Sequence, residues 1–254
     1  MKAARRQKER ENIVLISLAG LTVDVSPKYP DLAAMCRDYV APPRAKADFS
    51  VSVTEEEIAA EGVGGNSPAG YLETLAVYRK LCERALDFGR VLMHGSAFAF
   101  DGEGVLFTAP SGTGKSTHAA YWREVYGGRV QPVNDDKPLL TVSRREVLVS
   151  GTPWDGKHHL SANITVPLRA IVLLGRGQTD KLTRITATAA YPALLAQIYR
   201  PGDPDRLAAT LSLVDRAIPH LSFYRMSATL SPDAARVACR GIFGADAAGA
   251  EDAR

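Results

Sequence analysis

The nine residues Ala109-Pro110-Ser111-Gly112-Thr113-Gly114-Lys115-Ser116-Thr117 carry the plainest chemistry in the chain. They match the pattern G-x-x-x-x-G-K-S/T at every fixed position except the first, where Ala109 replaces glycine. A loop of this kind turns its backbone N–H groups from Gly112 to Ser116 toward a β-phosphate. The following helix adds the positive end of its dipole. Lys115 is then expected to reach β- and γ-oxygens, and Ser116 to place its hydroxyl on Mg²⁺. Pro110, Ser111, Thr113 and Thr117 complete the cradle, whose expected ligands are ATP and Mg²⁺. A plain turn with an N-cap could also be rich in Gly, Ser and Thr. The Lys115-Ser116 pair directly after Gly114 argues against that simpler reading.

Phosphoryl transfer also needs a carboxylate for the metal and one to orient and deprotonate an acceptor hydroxyl. Asp135 and Asp136 end an apolar run that follows the loop and its helix. That is where an α/β nucleotide-binding sheet collects its ligands. Two adjacent carboxylates resist joint ionisation unless a cation offsets them, so the pair suits a metal ligand beside a base. The alternative is an Asn-Asp-Asp turn facing water. A second candidate loop is Gly151-Thr152-Pro153-Trp154-Asp155-Gly156-Lys157-His158-His159. Trp154 is expected either to stack on a substrate or base or simply to pack, and Lys157 to neutralise charge on an acceptor or in the transition state. His158 and His159 are adjacent and make a poor chelating pair, so zinc is not expected.

Taken together, His94-Gly95, the loop 109–117 and Asp135-Asp136 resemble the HPr kinase/phosphorylase family. More widely they resemble small serine-kinase-like proteins with the phosphoenolpyruvate-carboxykinase type of nucleotide fold. The resemblance covers about forty-five residues directly. It implies an α/β P-loop nucleotide-binding fold with a mixed sheet, His94 near the phosphates, Lys115 and Ser116 on phosphate and Mg²⁺, and Asp136 as the base; Asp135, the other member of the pair, is then expected in the metal shell. It implies an ATP-dependent kinase acting on a serine-type hydroxyl of a peptide or small molecule. A nucleotide-binding regulatory module and an NTP hydrolase are the alternatives. Relatives of this fold often form rings or dimers, so a homo-oligomer is also implied. The chain departs from the longer members of the family. It has neither their separate amino-terminal domain nor their Glu-x-Arg-Gly segment after the acidic pair, so a magnesium-binding glutamate is not identified. The segment around Trp154 and Lys157 looks instead like that of shorter HPr-kinase-like proteins and free-serine kinases. HPr itself is then not the expected substrate, and a one-way kinase is favoured.

The elements that must position these groups are legible in the hydrophobic pattern. Residues 12–26 read as strand, turn and strand about Gly20. Residues 30–39 read as a short helix, 49–54 as an alternating strand, and 61–67 as a glycine-rich loop. Apolar residues at three- and four-residue steps predict a helix over 68–88. Residues 96–100 and 105–108, joined through Asp101-Gly102, predict a hairpin that runs straight into the loop. A helix over 115–126 closed by Gly127-Gly128, a strand over 130–133, and strands at 139–142 and 147–150 follow. A short buried strand is expected at 171–174, helices at 188–199 (interrupted by Pro192) and 206–218, a strand at 221–226 and a helix at 232–243.

At the scale of the chain, 46% hydrophobic and 23% charged residues describe an ordinary globular protein of 254 residues. The net charge of +3 is small and concentrates in Lys2, Arg5, Arg6, Lys8 and Arg10, which argues against nucleic acid as a partner. The expected organisation is a flexible basic arm over 1–11, one catalytic domain over 12–244 and a disordered tail over 245–254. No apolar run suits a membrane span or a secretory signal, so no membrane partner and a cytoplasmic location are expected. Three widely spaced cysteines fit reduced thiols.

Overall fold

Alternating apolar residues begin the fold: Ile16, Leu18, Leu21, Val23 and Val25 are buried along β1 (Val14–Leu18) and β2 (Leu21–Val25). These pair antiparallel through a two-residue turn, Ala19-Gly20, in which both residues have positive φ, as a twisted hairpin requires. The computed structural model describes residues 13–62 and 65–248, so the basic arm and residues 249–254 lie outside the described residues. The chain divides into two compact units, Met1–Phe88 and Gly89–Arg254. The sequence pattern had marked no division there.

In the first unit, α1 (Pro30–Met35) starts with proline at its first position. The fully buried Glu73 accepts from the backbone N–H groups of Lys28 and Tyr29 just ahead of it, at 2.6 and 3.0 Å. β3 (Phe49–Val51) lies parallel to β2. The strand expected over 49–54 stops early because Thr54 is an N-cap. Its hydroxyl accepts from Glu57 N–H, and the Glu57 carboxylate accepts from Thr54 N–H, forming a capping box for α2 (Glu55–Ala60). α3 (Ala69–Ala85) is the long amphipathic helix of the unit, and it tightens into a 3₁₀ turn over Leu86–Phe88.

The second unit opens with β4 (Arg90–Leu92), then β5 (Ser96–Phe100) and β6 (Glu103–Thr108), joined at Asp101-Gly102 with φ of 49° and 85°. Arg129 grips the Asp101 carboxylate at 2.6 and 3.1 Å and lies 4.4 Å from the Phe100 ring centre. The glycine loop leads into α4 (Lys115–Tyr126), followed by β7 (Val130–Asn134), β8 (Leu139–Val142) and β9 (Val147–Ser150). β10 (Thr165–Arg176) is far longer than the buried run at 171–174. Its first residues pair antiparallel with β9 and are partly exposed, so they carry no continuous apolar signal. β11 (Lys181–Ile185) is mostly exposed and was not marked in the sequence for the same reason.

α5 (Ala187–Gln197) runs through Pro192 without breaking, with Ala190 and Leu194 buried on its inner face. α6 (Pro204–Ala217), β12 (Ser222–Ala228) and α7 (Pro232–Phe243) close the unit, and Ala245–Ala248 forms a further turn, α8, where a disordered tail had been expected. The sheet is mixed: β7-β5-β6-β10-β12 run side by side, with β8 and β9 linking β10 to β4 and β11 on the far side of β12. β6 is parallel to both β10 and, across the antiparallel β5, β7, while β12 is parallel to β10. The carboxyl ends of β6, β7, β10 and β12 therefore meet at one edge, together with the amino end of β5. Behind that edge α4 and α7 pack on aromatic residues, with Trp122 fully buried among Phe98, Phe100, Phe107 and Tyr126.

No helix among the described residues is long and apolar enough to cross a membrane.

Candidate functional site

The glycine loop leaves the end of β6 with Ala109 only 5% exposed and packed in the aromatic core. Its methyl group contributes to that core, which accords with alanine at this position. Gly112 and Gly114 have φ of 78° and 113°, and no other atom lies within 4 Å of where a Cβ would stand. Their need for glycine is thus conformational, not steric. Ser111 and Thr117 are exposed, Ser116 is half-buried, and Thr113 Oγ1 donates to Pro110 O at 2.8 Å. Lys115 is buried, its ammonium donating to Ala109 O at 2.9 Å and Pro110 O at 3.4 Å. Burial lowers its pKa, and the charge of Asp136 pulls the other way. From the end of β10, Arg176 donates to Gly112 O at 2.6 Å and Thr113 O at 3.2 Å, tying the loop from outside.

At the end of β7, Asn134 is fully buried and acts in two directions. Its Oδ1 accepts from the N–H groups of Asp136 and Lys137 at 2.9 and 2.6 Å, which turns the chain after the strand. Its Nδ2 donates to Thr152 O and Trp154 O at 2.9 and 3.2 Å, which ties that turn to the segment 151–157.

Asp136 is the better connected of the acidic pair. His94 Nε2 lies 3.3 Å from its Oδ1, and Lys137 Nζ donates to its Oδ2. Burial alone would raise the Asp136 carboxyl, but the hydrogen bonds and charges of His94 and Lys137 outweigh it and hold it at about 2. His94 is itself fixed, Nδ1 against Gln197 Oε1 at 2.7 Å and its backbone N–H on Gln197 O at 2.7 Å. Gly95 N–H donates to Asp136 O at 3.0 Å, and a Cβ on Gly95 would come within 2.9 Å of Phe107 O, so only glycine lets these segments touch.

Asp135 is 5% exposed. Oδ1 accepts from Gly156 N–H at 2.7 Å, and Oδ2 is buried with no hydrogen-bond partner. An unpartnered buried carboxylate oxygen is costly unless a cation or donor meets it, so Asp135 fits a metal ligand. Asp155 lies close enough that the charge of Asp135 adds to the burial that raises its pKa, against the opposing hydrogen bond of His159. Among the described residues no group of three or more His, Cys, Asp or Glu side chains is arranged to hold a metal. Mg²⁺ commonly binds through one or two carboxylates with phosphate and water completing its shell, so Ser116 and Asp135 suffice in kind.

The structure thus brings His94, Lys115, Asp135 and Asp136 to one edge of one sheet. Trp154 is 4% exposed, which accords with the packing alternative, and its carbonyl accepts from Asn134 Nδ2. Lys157 is exposed on a turn beside it. Sequence reasoning had not marked Lys137, Asn134, Gln197 or Arg176. Lys137, adjacent to the acidic pair, was open to reading. Nothing local marks Gln197, which comes to His94 through tertiary packing.

No family model and no curated protein sequence matches the chain. Among solved structures the chain is similar to the Hpr(Ser) kinase/phosphatase from Coxiella burnetii, at 14% identity and a TM-score of 0.28, over 49% of this chain and 93% of that one. The likeness is weak and spans half of the chain.

Proposed function

We propose that this chain is an ATP-dependent kinase that transfers the γ-phosphoryl group to a serine-type hydroxyl of a peptide or small molecule. The observation that carries this reading is the Asp136 carboxylate, kept ionised by His94 and Lys137 and felt electrostatically by Lys115 at the mouth of the glycine loop. A purely regulatory nucleotide site has less use for a carboxylate held this firmly.

In this reading residues 109–117 cradle the phosphates, and Lys115 exchanges its two backbone carbonyl partners for β- and γ-oxygens. Ser116 and Asp135 would hold Mg²⁺, which when bound neutralises charge on the phosphates. Asp136 accepts a hydrogen bond from the acceptor hydroxyl and so aims its oxygen at the γ-phosphorus. As the new O–P bond forms and the bond to the β-γ bridging oxygen breaks, the hydroxyl proton passes to Asp136 and then to water, and ADP leaves. A carboxyl near 2 is a weak base, so its contribution is mainly orientation, with proton transfer late in the reaction. His94, steadied by Gln197, positions Asp136, and Lys137 holds its other oxygen.

The test is incubation with ATP and Mg²⁺ alone, with free serine, and with serine-containing peptides, for wild type and Lys115→Ala. Phosphorylated acceptor formed by wild type and lost in Lys115→Ala supports the kinase. Phosphate released at the same rate whatever the acceptor makes the protein a hydrolase, and binding without turnover makes it a regulatory module.

A further inference from the structure

On the side of the glycine loop away from the acidic pair is a shallow, open notch. Thr113 and Gly114 form one wall, His118 and Tyr121 of α4 another, and Gly175 at the end of β10 and Leu230 after β12 the rest. We infer that this notch seats the base and ribose of the nucleotide, with His118 Nδ1 as its hydrogen-bond donor and with little discrimination between adenine and guanine. This inference rests on the phosphate-loop reading above and adds to it where the nucleoside lies and how it is read.

The direction follows from strand order. A triphosphate in the loop has two ends, and its γ-end must face Asp136 at the end of β7. In the order β7-β5-β6-β10-β12 the loop after β6 stands between, so the other end must leave toward β10 and β12. The notch lies at their carboxyl ends.

His118 supplies the independent sign of a ligand. It is 3% exposed, yet it lines the notch. Trp122 Nε1 can only donate, and it meets His118 Nε2 at 3.3 Å, so Nε2 is the acceptor and the proton sits on Nδ1. Nδ1–H has no hydrogen-bond partner among the described residues, and a ring nitrogen or ribose oxygen would satisfy it.

The other polar side chains around the notch are already engaged. Thr113 bonds Pro110 O, Arg176 bonds the loop carbonyls, and Thr229 is held by Asp180 at 3.0 Å and Ser231 at 2.9 Å. The Tyr121 hydroxyl remains, but a hydroxyl both donates and accepts, so it suits an adenine amino group and a guanine carbonyl alike. A site that reads a base by shape and one shared donor discriminates weakly, whereas dedicated hydrogen-bonding groups reject a mismatch strongly.

Calorimetric titration with Mg·ATP, Mg·GTP and tripolyphosphate tests the inference. A Cβ at Gly175 would meet only Met226 O at 3.6 Å, so Gly175→Val fills the notch without a backbone clash. Gly175→Val is expected to lose tenfold or more in ATP affinity and to keep tripolyphosphate within twofold. Leu230 is 70% exposed, so Leu230→Ala leaves the core intact and is expected to weaken ATP severalfold while sparing tripolyphosphate. Wild type should bind ATP and GTP within about tenfold. Undiminished ATP affinity in both variants overturns the location, and a hundredfold preference for one purine overturns the account of base reading. Wild type that binds neither ATP nor tripolyphosphate, or Lys115→Ala that binds tripolyphosphate as wild type does, brings down the phosphate-loop reading instead.

Discussion

Asp135 and Asp136 are neighbours in sequence with opposite surroundings. Asp136 has both oxygens met by cationic or imidazole nitrogens, whereas Asp135 keeps one oxygen buried and unpartnered. The pair therefore divides its work by environment, and amide substitutions should separate the two. Asp136→Asn is expected to lower turnover by about 10²-fold or more, through lost orientation of the acceptor hydroxyl and the lost late proton transfer, while ATP affinity changes little. An amide can neither take the hydroxyl proton nor be oriented by His94 in the same way. Asp135→Asn should instead raise the Mg²⁺ concentration needed for half-maximal rate and recover in part at high Mg²⁺. Activity titrated against Mg²⁺ for both variants decides the assignment. Metal rescue of Asp136→Asn with none for Asp135→Asn would exchange the roles, and full activity in both would remove the acidic pair from the reaction.

At the scale of elements, α2 shows how a short helix rests on its cap. Only Ile58 on it is buried, so the Thr54 capping box must supply much of its local stability. Thr54→Ala is expected to cost ~1 kcal/mol in urea unfolding. Glu57 adds a pH signature. The hydrogen bond from Lys80 leads in lowering its pKa below the ordinary 4.5, followed by the one from Thr54 N–H. A lowered folded-state pKa means that the contribution is complete above 4.5 and is lost as pH falls through the folded value. The stability gap between wild type and Glu57→Gln should therefore narrow on acidification below 4.5, and a pH-independent gap would refute the capping account. This helix was illegible in sequence because Phe49-Ser50-Val51-Ser52-Val53-Thr54 alternates like a strand up to the very residue that caps it. By contrast α4 and α7 were read with their observed limits, since Gly114 and Gly127 bracket one and Pro232 and Gly244 the other. The hairpin was legible from Asp101-Gly102. The glycine loop and the acidic pair were readable because each is a contiguous motif. Arg176 and Gln197 were not, because a parallel strand pairing and a helix end bring them to the site from sixty and a hundred residues away.

At the scale of the molecule, the candidate site is a property of one sheet edge and not of any one element. The glycine loop, the acidic turn, the end of β10 and the His94-Gly95 turn come from chain segments spread over Gly89–Arg254: Arg176 bonds the loop, Thr108 just before the loop bonds His94 O, and Gly95 N–H and His94 Nε2 meet Asp136. A ligand that touches several of them stabilises the folded form by mass action. At a hundred times its dissociation constant the gain is about 2.7 kcal/mol. In a unit of this size each 1 kcal/mol raises the melting temperature by roughly 2–4 °C, so saturating Mg·ATP should raise it by roughly 5–10 °C. Lys115→Ala should abolish the rise, because the ammonium is the buried cation nearest the expected phosphates. Asp136→Asn should preserve it, because its carboxylate serves the acceptor side. Differential scanning calorimetry on the three proteins, with and without Mg·ATP, separates binding from turnover in one experiment. A full rise in Lys115→Ala would place the nucleotide elsewhere on the molecule, and no rise in wild type at millimolar Mg·ATP would remove nucleotide binding from the account altogether.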